Sequence, residues 1–474
     1  MEVKALARNT LIAFASQGVS LMVSFVMALI VPKALNVEQY GYWQLFVLYS
    51  SYIGFCHLGL CDGVYLIIGG TPRSQVDKGN VAGQFVICAI LQLIFSAALL
   101  SLVNVFPLGG DRNVVISLTA VYLVINNLAL YLGYIFQAMN ETRLFSYSMI
   151  LDRLLYLFFC GGCLLLSVRS FVPFIVLTIV AKGASLLYCV WNARDIVFCT
   201  PNPLVESARN AISSIAVGIK LMLANLASML IIGLARFFID GEWGIETFGQ
   251  VSFSLSLVNF FISFVSQASM VLFPSLRQVE GDQRRRFYIL MRDAMELLFP
   301  VVYMLYFPLT ALLSAWLPQY AMSMSYFVLL LPICVFDSKM DICCTTFFKV
   351  TRREGVLLRI NVISVIASFV LTIVGVYVVR SIWAVLFGMV ASIVFRSVVS
   401  ERYLNSWMKC ENLPTMIKEL IVTMLFSASG LLLDAPIAAL VFVAGYIVYL
   451  VSERKRLSGV CCSILSVGKQ LVQS

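Results

Sequence analysis

Long uninterrupted hydrophobic runs follow one another along almost the whole chain, and this feature constrains the fold most. A helix needs roughly 20 apolar residues to cross the hydrocarbon core of a bilayer, whereas a spanning strand shows about ten residues of alternating polarity. The runs here are continuous, not alternating. Hydrophobic residues make up 61% of the chain and charged residues 12%, and no water-soluble core absorbs such an excess. The sequence therefore predicts an all-α polytopic membrane protein.

Proline, glycine and charged residues divide the hydrophobic runs into fourteen predicted spans. The connections at 168–171, 379–382 and 433–436 are so short that twelve or thirteen spans remain alternatives. The predicted spans are 10–31, 43–69, 81–106, 114–138, 149–168, 171–192, 212–239, 247–273, 288–315, 325–349, 358–379, 382–404, 416–433 and 436–452.

Basic residues concentrate on one side of this topology. With the amino terminus in the cytoplasm, the inner side receives 24 of the 33 lysines and arginines and the outer side receives 5. Clustered cations are disfavoured on the translocated side of a membrane. We therefore predict a multi-pass membrane protein with both termini in the cytoplasm. The net charge of +9 then indicates basic loops that face an anionic leaflet, not a nucleic-acid partner.

A faint internal duplication relates the spans. Arg8-Asn9 opens the first span as Arg209-Asn210 opens the seventh. Because six spans are an even number, two six-helix halves would be parallel repeats about a pseudo-two-fold axis along the membrane normal, with the substrate cleft between them. The predicted divisions are a six-helix bundle at 1–200, a second at 201–408, two additional helices at 409–452 and an amphipathic cytoplasmic tail at 453–474.

Motifs that would indicate catalysis are weak. His57 and Asp62 have the H-x-x-x-x-D spacing of some acyltransferases, but His57 is the only histidine and lies inside a predicted span. Cys160-Gly-Gly-Cys163 matches a redox or metal pattern, yet in an apolar helix a glycine pair is more typical of close approach by a neighbouring helix. There is no phosphate-binding loop of the G-x-x-x-x-G-K-[ST] type. We predict no enzymatic activity, no cofactor and no metal.

Charged side chains inside the predicted spans are the candidates for a functional site. Each costs roughly 2.5–3.5 kcal/mol at the bilayer centre, so it is expected to face the bundle interior or a watery cavity. The candidates for substrate binding are Lys182, Lys220, Lys339 and Arg396, and the candidates for ion coupling or for lining the cavity are His57, Asp62, Asp337 and Asp341.

Ion pairs that lock two helices are the alternative role for these charges. Asp337 and Asp341 are one helical turn apart and could neutralise Lys339 or a cation on a neighbouring helix. Lys182 and Lys220 have no acidic residue at helical spacing. These two lysines are therefore the better candidates for binding an anion.

Short motifs near the start of the chain carry a resemblance to a known family. They are Arg8-Asn9-Thr10, Gly18, Pro32, Leu35, Gln39-Tyr40-Gly41, Gly59-Leu60-Cys61-Asp62-Gly63-Val64-Tyr65-Leu66 and Gly69-Gly70. This pattern resembles the Wzx-type polysaccharide biosynthesis proteins of the multidrug/oligosaccharidyl-lipid/polysaccharide (MOP) export superfamily. The match covers mainly the segment from Arg8 to Gly70, and the span count extends it loosely over the chain. Ile67 stands where a basic residue is expected, so no substrate role is assigned to it.

The resemblance implies a flippase that carries undecaprenyl diphosphate-linked oligosaccharide repeat units across the membrane by alternating access, for O-antigen, capsule or exopolysaccharide assembly. Its implied partners are this polyprenyl-linked substrate, membrane lipids, a polysaccharide polymerase and chain-length proteins. A lipid II flippase would share the fourteen spans and a cationic cavity. A cation-coupled multidrug exporter would hold acidic residues in the first or seventh span. In this chain the first span has no acidic residue, and the seventh has none before Asp240. A membrane-bound polymerase or ligase would need a large external loop, which the chain lacks.

Overall fold

Helices make up 90% of the structure, a computed structural model that describes residues 18–277, 281–410 and 413–473. None of the described residues lies in a strand. The predicted all-α class is therefore confirmed. Residues 10–17 of the first predicted span and the Arg8-Asn9 opening lie outside the described residues.

The helices follow one another with short connections. Three π-helical segments, Val26–Ile30, Met340–Thr345 and Val374–Val379, interrupt them. In chain order the α-helices are α1 (Val31–Ala34), α2 (Val37–Ile53), α3 (Leu60–Ile68), α4 (Lys78–Val105), α5 (Gly110–Ala138), α6 (Thr142–Leu165), α7 (Phe171–Asn192), α8 (Arg194–Val197), α9 (Leu204–Arg277), α10 (Gly281–Leu298), α11 (Val302–Trp316), α12 (Ala321–Leu330), α13 (Pro332–Lys339), α14 (Thr346–Val350), α15 (Glu354–Ile373), α16 (Ile382–Trp407), α17 (Leu413–Leu432), α18 (Ala435–Ser452) and α19 (Arg454–Gln473).

Ten helices in the described part of the chain are long and apolar enough to cross a membrane, and the bent pair of α2 and α3 makes an eleventh. Each of the fourteen predicted spans contains helix over its described part. The counts differ partly because α9 holds two predicted spans, joined at Gly244, where φ is 78°. The tenth span is also divided, because the π-helical segment Met340–Thr345 separates α13 from α14.

The first compact unit comprises Met1–Leu226. Its core contains buried side chains from α3, α5, α7 and the start of α9, among them Leu60, Tyr131, Cys189 and Ala211. The start of α9 thus packs with the preceding helices, and the unit therefore extends past the predicted division at residue 200. The two six-helix bundles stay a prediction.

The second compact unit comprises Ala227–Ser474. The two additional helices, α17 and α18, pack in this unit against α11 through aromatic rings, with the Tyr303 and Phe426 ring centroids 4.4 Å apart. Pro300 breaks the ninth span between α10 and α11. Two tyrosine hydroxyls of α18 donate to the carbonyls beside that break, Tyr446 to Leu297 at 2.7 Å and Tyr449 to Glu296 at 3.2 Å. A helix break inside a membrane is tolerated where such partners satisfy the backbone.

Candidate functional site

The second predicted span is broken near its middle. Between α2 and α3 the chain passes through Leu58 at φ 56° and Gly59 at φ 88°, and the two helices differ in direction by 54°. Glycine adopts this left-handed conformation without a steric penalty. The break frees backbone groups that an unbroken helix would pair.

Polar side chains from two neighbouring helices satisfy those freed groups. Asn127 of α5 donates to the Ile53 carbonyl at 2.9 Å, and Gln92 of α4 donates to the Cys56 carbonyl at 3.3 Å. Asn127 also donates to the Gln92 side chain at 2.7 Å, which fixes both amides. Because buried backbone groups must be paired inside a membrane, this arrangement maintains the broken conformation.

His57 and Asp62 flank the break and are both buried. The Nδ1 atom of His57 accepts a hydrogen bond from the Gly59 amide at 2.9 Å. The Nε2 atom lies 3.8 Å from the nearer Asp62 carboxylate oxygen, which is too far for a direct hydrogen bond. The structure thus brings these two predicted cavity residues together.

The break packs against the start of α9 at backbone distance. A Cβ atom on Gly63 would lie 1.8 Å from the Ser214 carbonyl oxygen, and a Cβ atom on Gly218 would lie 2.1 Å from the Gly59 carbonyl oxygen. Only glycine fits at either position. This crossing fixes the rotation of α9 about its own axis, and thereby decides which of its side chains are buried.

Lys220 lies on the face of α9 that points away from this crossing. The buried positions there are Ser207, Ala211, Ser214, Gly218 and Met222, whereas Lys220 is exposed. Its ammonium group has no hydrogen-bond or ion-pair partner among the described residues. Arg209, also exposed, precedes it by three helical turns, which puts the two cations about 16 Å apart on the same face.

Lys182 is in a different environment from Lys220. Its Nζ atom lies 2.9 Å from the Asp152 carboxylate, so the pair joins α7 to α6. Both side chains are largely buried, at 21% and 12% exposure. The acid that pairs with Lys182 lies on the preceding helix, where helical spacing within one span gives no indication of it. Substrate binding by Lys182 stays a prediction.

Arg396 of α16 is buried and bound by two partners. It donates to the Ser228 hydroxyl at 2.6 Å and forms an ion pair with Asp337 of α13. Asp337 thus neutralises a cation on a neighbouring helix, which is one of the two roles that the sequence left open. Asp341 is half-buried and has interactions of its own.

Lys339 is paired with three glutamates from other helices. Its Nζ atom lies 2.6 Å from Glu401, 2.5 Å from Glu419 and 3.5 Å from Glu296. These glutamates come from α16, α17 and α10, and all four side chains are almost completely buried. Of the two roles left open for Asp337, the structure therefore shows the pairing with a cation on a neighbouring helix, since these three carboxylates surround the ammonium group of Lys339.

Sequence reasoning missed this cluster of Lys339, Glu296, Glu401 and Glu419, which we call the glutamate cluster. The three glutamates lie inside predicted spans, close to their predicted inner ends, and none of them was among the candidate charges. A usable signal was present, since Lys339 and the three glutamates fall toward the same predicted side on four different spans. Arg456 of the tail helix α19 reaches the same cluster, at 2.8 Å from Glu296.

Close helix approach occurs at a different place from the predicted one. Gly161 and Gly162 of the Cys160-Gly-Gly-Cys163 pattern have nothing within 4 Å of the position of an added Cβ atom. For the part of the chain that the structure describes, the prediction that this glycine pair admits a neighbouring helix is therefore wrong. Close backbone approach in the first unit instead involves Gly59, Gly63 and Gly218, and the first two have the G-x-x-x-G spacing in the sequence.

Comparison with solved structures identifies the fold. No family model matches the chain, and no curated protein matches it. The lipid II flippase MurJ, in an inward closed conformation, aligns with a TM-score of 0.65 at 10% identity, over 95% of this chain and 100% of its own. An inward-facing MATE family multidrug resistance transporter of the MOP superfamily aligns with a TM-score of 0.59 at 14% identity, over 82% of this chain and 94% of its own. An outward-facing MATE transporter aligns with a TM-score of 0.53 at 14% identity, over 86% and 97%. The chain thus has the fold of MOP superfamily transporters.

Proposed function

We propose that the chain is a transporter that moves polyprenyl diphosphate-linked oligosaccharides across the bacterial inner membrane by alternating access, and that Lys220 binds the diphosphate. The observation that carries this proposal is the exposed ammonium group of Lys220 within a predicted span, which has no partner in the described part of the chain. A cation at this depth is costly against lipid tails, so the face of α9 that bears it borders a water-containing space.

A diphosphate is the kind of ligand that such a cation suits. Its negative charge is expensive to bring into a low-dielectric passage, and an unpaired cation offsets part of this cost. Arg209 supplies a second exposed cation on the same face, nearer the predicted cytoplasmic end. A headgroup that enters from the cytoplasm would therefore meet Arg209 first and Lys220 about 16 Å deeper.

The fold supports a transporter, and the placement of charge favours a lipid-linked anion over a cationic drug. The seventh predicted span contributes Lys220 to the exposed face of α9 and has no acidic residue before Asp240. The oligosaccharide is inferred from the resemblance of the segment between Arg8 and Gly70 to Wzx-type proteins. A lipid II flippase is the second candidate, because the fold of MurJ covers nearly the whole chain.

Substitutions at Lys220 test the proposal. Lys220→Gln is expected to reduce export of the lipid-linked oligosaccharide about tenfold or more, which corresponds to a loss of about 1.4 kcal/mol of binding. Lys220→Arg keeps the charge and is expected to retain most of the activity. The matched control is Lys349→Gln, which removes an exposed cation at the end of another span and is expected to export normally. Export is measured as surface polymer per unit of membrane-inserted protein.

Two results would count against this assignment. Lys220→Gln could export as well as the wild type, or it could lose activity only because the protein disappears from the membrane. The same variants assayed with purified lipid II in proteoliposomes separate the two candidate cargoes. Translocation of lipid II, without translocation of the oligosaccharide lipid, would favour the second candidate.

A further inference from the structure

Counted over the residues that the structure describes, the glutamate cluster holds more negative charge than the cations paired with it can balance. The carboxyl groups of the network are Asp293, Glu296, Glu401, Glu419 and Glu453, and the cations are Arg292, Lys339, Lys418 and Arg456. Five carboxylates thus face four cations. Arg396 does not change this balance, because it is paired with Asp337. The remaining titratable groups around the cluster are neutral when protonated: Tyr288, Tyr303, Tyr449, Cys343 and Cys344.

The excess charge is concentrated where it is most costly. Oxygen atoms of Glu296, Glu401 and Glu419 all lie within 4.8 Å of one another, and the three side chains are at most 1% exposed. Like charges at such distances in a buried site cannot all remain ionised, and the usual outcome is that one group keeps a proton. One oxygen of Glu419 is buried and has no hydrogen-bond partner among the described residues. It provides a position for that proton.

A metal ion is a poorer occupant than a proton. The ammonium group of Lys339 already contacts all three carboxylates, so a metal would have to displace it and leave a buried lysine unpaired. A proton needs no such displacement, because it adds to a carboxylate oxygen that Lys339 leaves free.

We propose that Glu296, Glu401 and Glu419 together bind one exchangeable proton in the second unit. A further carboxylate shares a cation with the cluster. Arg456 binds Glu296 at 2.8 Å and also binds the carboxylate of Asp293, whose side chain is 13% exposed. These contacts connect the cluster to the more exposed tail helix α19. The site needs no particular cargo, so its test does not depend on the proposed function.

Infrared spectroscopy of the purified full-length protein tests this site. A protonated carboxyl group has a C=O band that is resolved from carboxylates and shifts in D₂O. The wild type is expected to show this band near neutral pH. Glu419→Gln brings the network to four carboxylates and four cations, so the band is expected to lose one carboxyl per chain. Lys339→Gln increases the imbalance and is expected to add one protonated carboxyl.

Matched variants make the result specific. Glu242→Gln, which alters an exposed carboxylate of α9, is expected to leave the band unchanged. Glu296→Gln and Glu401→Gln repeat the measurement if Glu419→Gln does not fold, as judged by size-exclusion chromatography. The proposal is contradicted if the wild type has no such band near neutral pH. It is equally contradicted if the band survives all three glutamine substitutions, or if it disappears only in Asp62→Asn, which would assign the proton to the other buried acid.

Discussion

Gly63 and Gly218 are the residues at which the packing of the first unit tolerates least change. Both face backbone atoms, which cannot move aside as a flexible side chain can. Their importance follows from what they position, because the crossing that they form buries one face of α9 and leaves Lys220 on the other. The exposure of Lys220 therefore depends on the absence of a side chain at both glycines.

Alanine at either glycine is expected to destabilise the protein by at least about 1–3 kcal/mol, the usual cost of overpacking. Gly63→Ala and Gly218→Ala should therefore lower the thermal unfolding temperature of the purified protein or abolish its membrane accumulation. Gly161→Ala is the control, since an added Cβ atom there meets nothing within 4 Å. If Gly218→Ala unfolded at the wild-type temperature, the close crossing would be refuted.

Lys182 and Asp152 provide a second prediction at the scale of residues. Removal of one partner from a buried ion pair leaves an uncompensated charge and typically costs about 3–5 kcal/mol. Lys182→Gln is therefore expected to reduce the amount of folded protein, and Lys182→Gln with Asp152→Asn is expected to restore it. A double-mutant cycle on thermal unfolding measures the coupling. Additive single effects would show that the pair does not lock α6 to α7.

Among the elements, the connections of the first unit are joined by charges outside the membrane-spanning segments. Arg73 lies between the second and third predicted spans, and it binds Glu141 at 2.8 Å as well as Asp195 of α8. Lys78 lies 2.7 Å from the same Asp195 carboxylate. The Arg73 guanidinium, and then Lys78, hold the pKa of Asp195 below its ordinary value of 3.8.

The lowered pKa of Asp195 makes the stability of the folded protein depend on pH. Because the folded-state pKa of Asp195 is lowered, its contribution to stability is present above pH 3.8 and is lost as the pH falls below that value. Asp195→Asn is therefore expected to destabilise the protein near neutral pH and to flatten the decline of the unfolding temperature on acidification. Asp111→Asn, at the exposed start of α5, serves as the control. An unchanged acid profile in Asp195→Asn would contradict the assignment.

The elements also show how far the sequence could be interpreted. Hydrophobic runs located segments that are helical over their described parts, because the bilayer imposes a similar length and polarity on each spanning helix. The sequence could anticipate that Lys220 has no partner among the described residues, since no acidic residue stands at helical spacing from it. The partners of Lys182 and Lys339 could not, because they lie on other helices and their contact depends on how each helix is rotated. The break at His57 was missed for a similar reason, since its stabilising amides, Asn127 and Gln92, belong to distant spans.

At the scale of the whole molecule, the chain has the fold of MOP superfamily transporters and carries two separate groups of charge in its predicted spans. The first unit exposes Lys220 on α9, whereas the second unit encloses Lys339 among three glutamates. Cargo recognition is therefore expected to depend on the first group and proton binding on the second. The central claim is that the chain moves a polyprenyl diphosphate-linked oligosaccharide across the membrane.

A deletion strain without redundant transporters tests that claim most directly. Two quantities are measured in the same cells: the lipid-linked repeat units on each face of the inner membrane, and the surface polymer. In the deletion strain, repeat units are expected to accumulate on the inner face and surface polymer is expected to be lost. The wild-type chain is expected to restore both, and Lys220→Gln expressed at the same level is not. Normal surface polymer in the deletion strain would contradict the account.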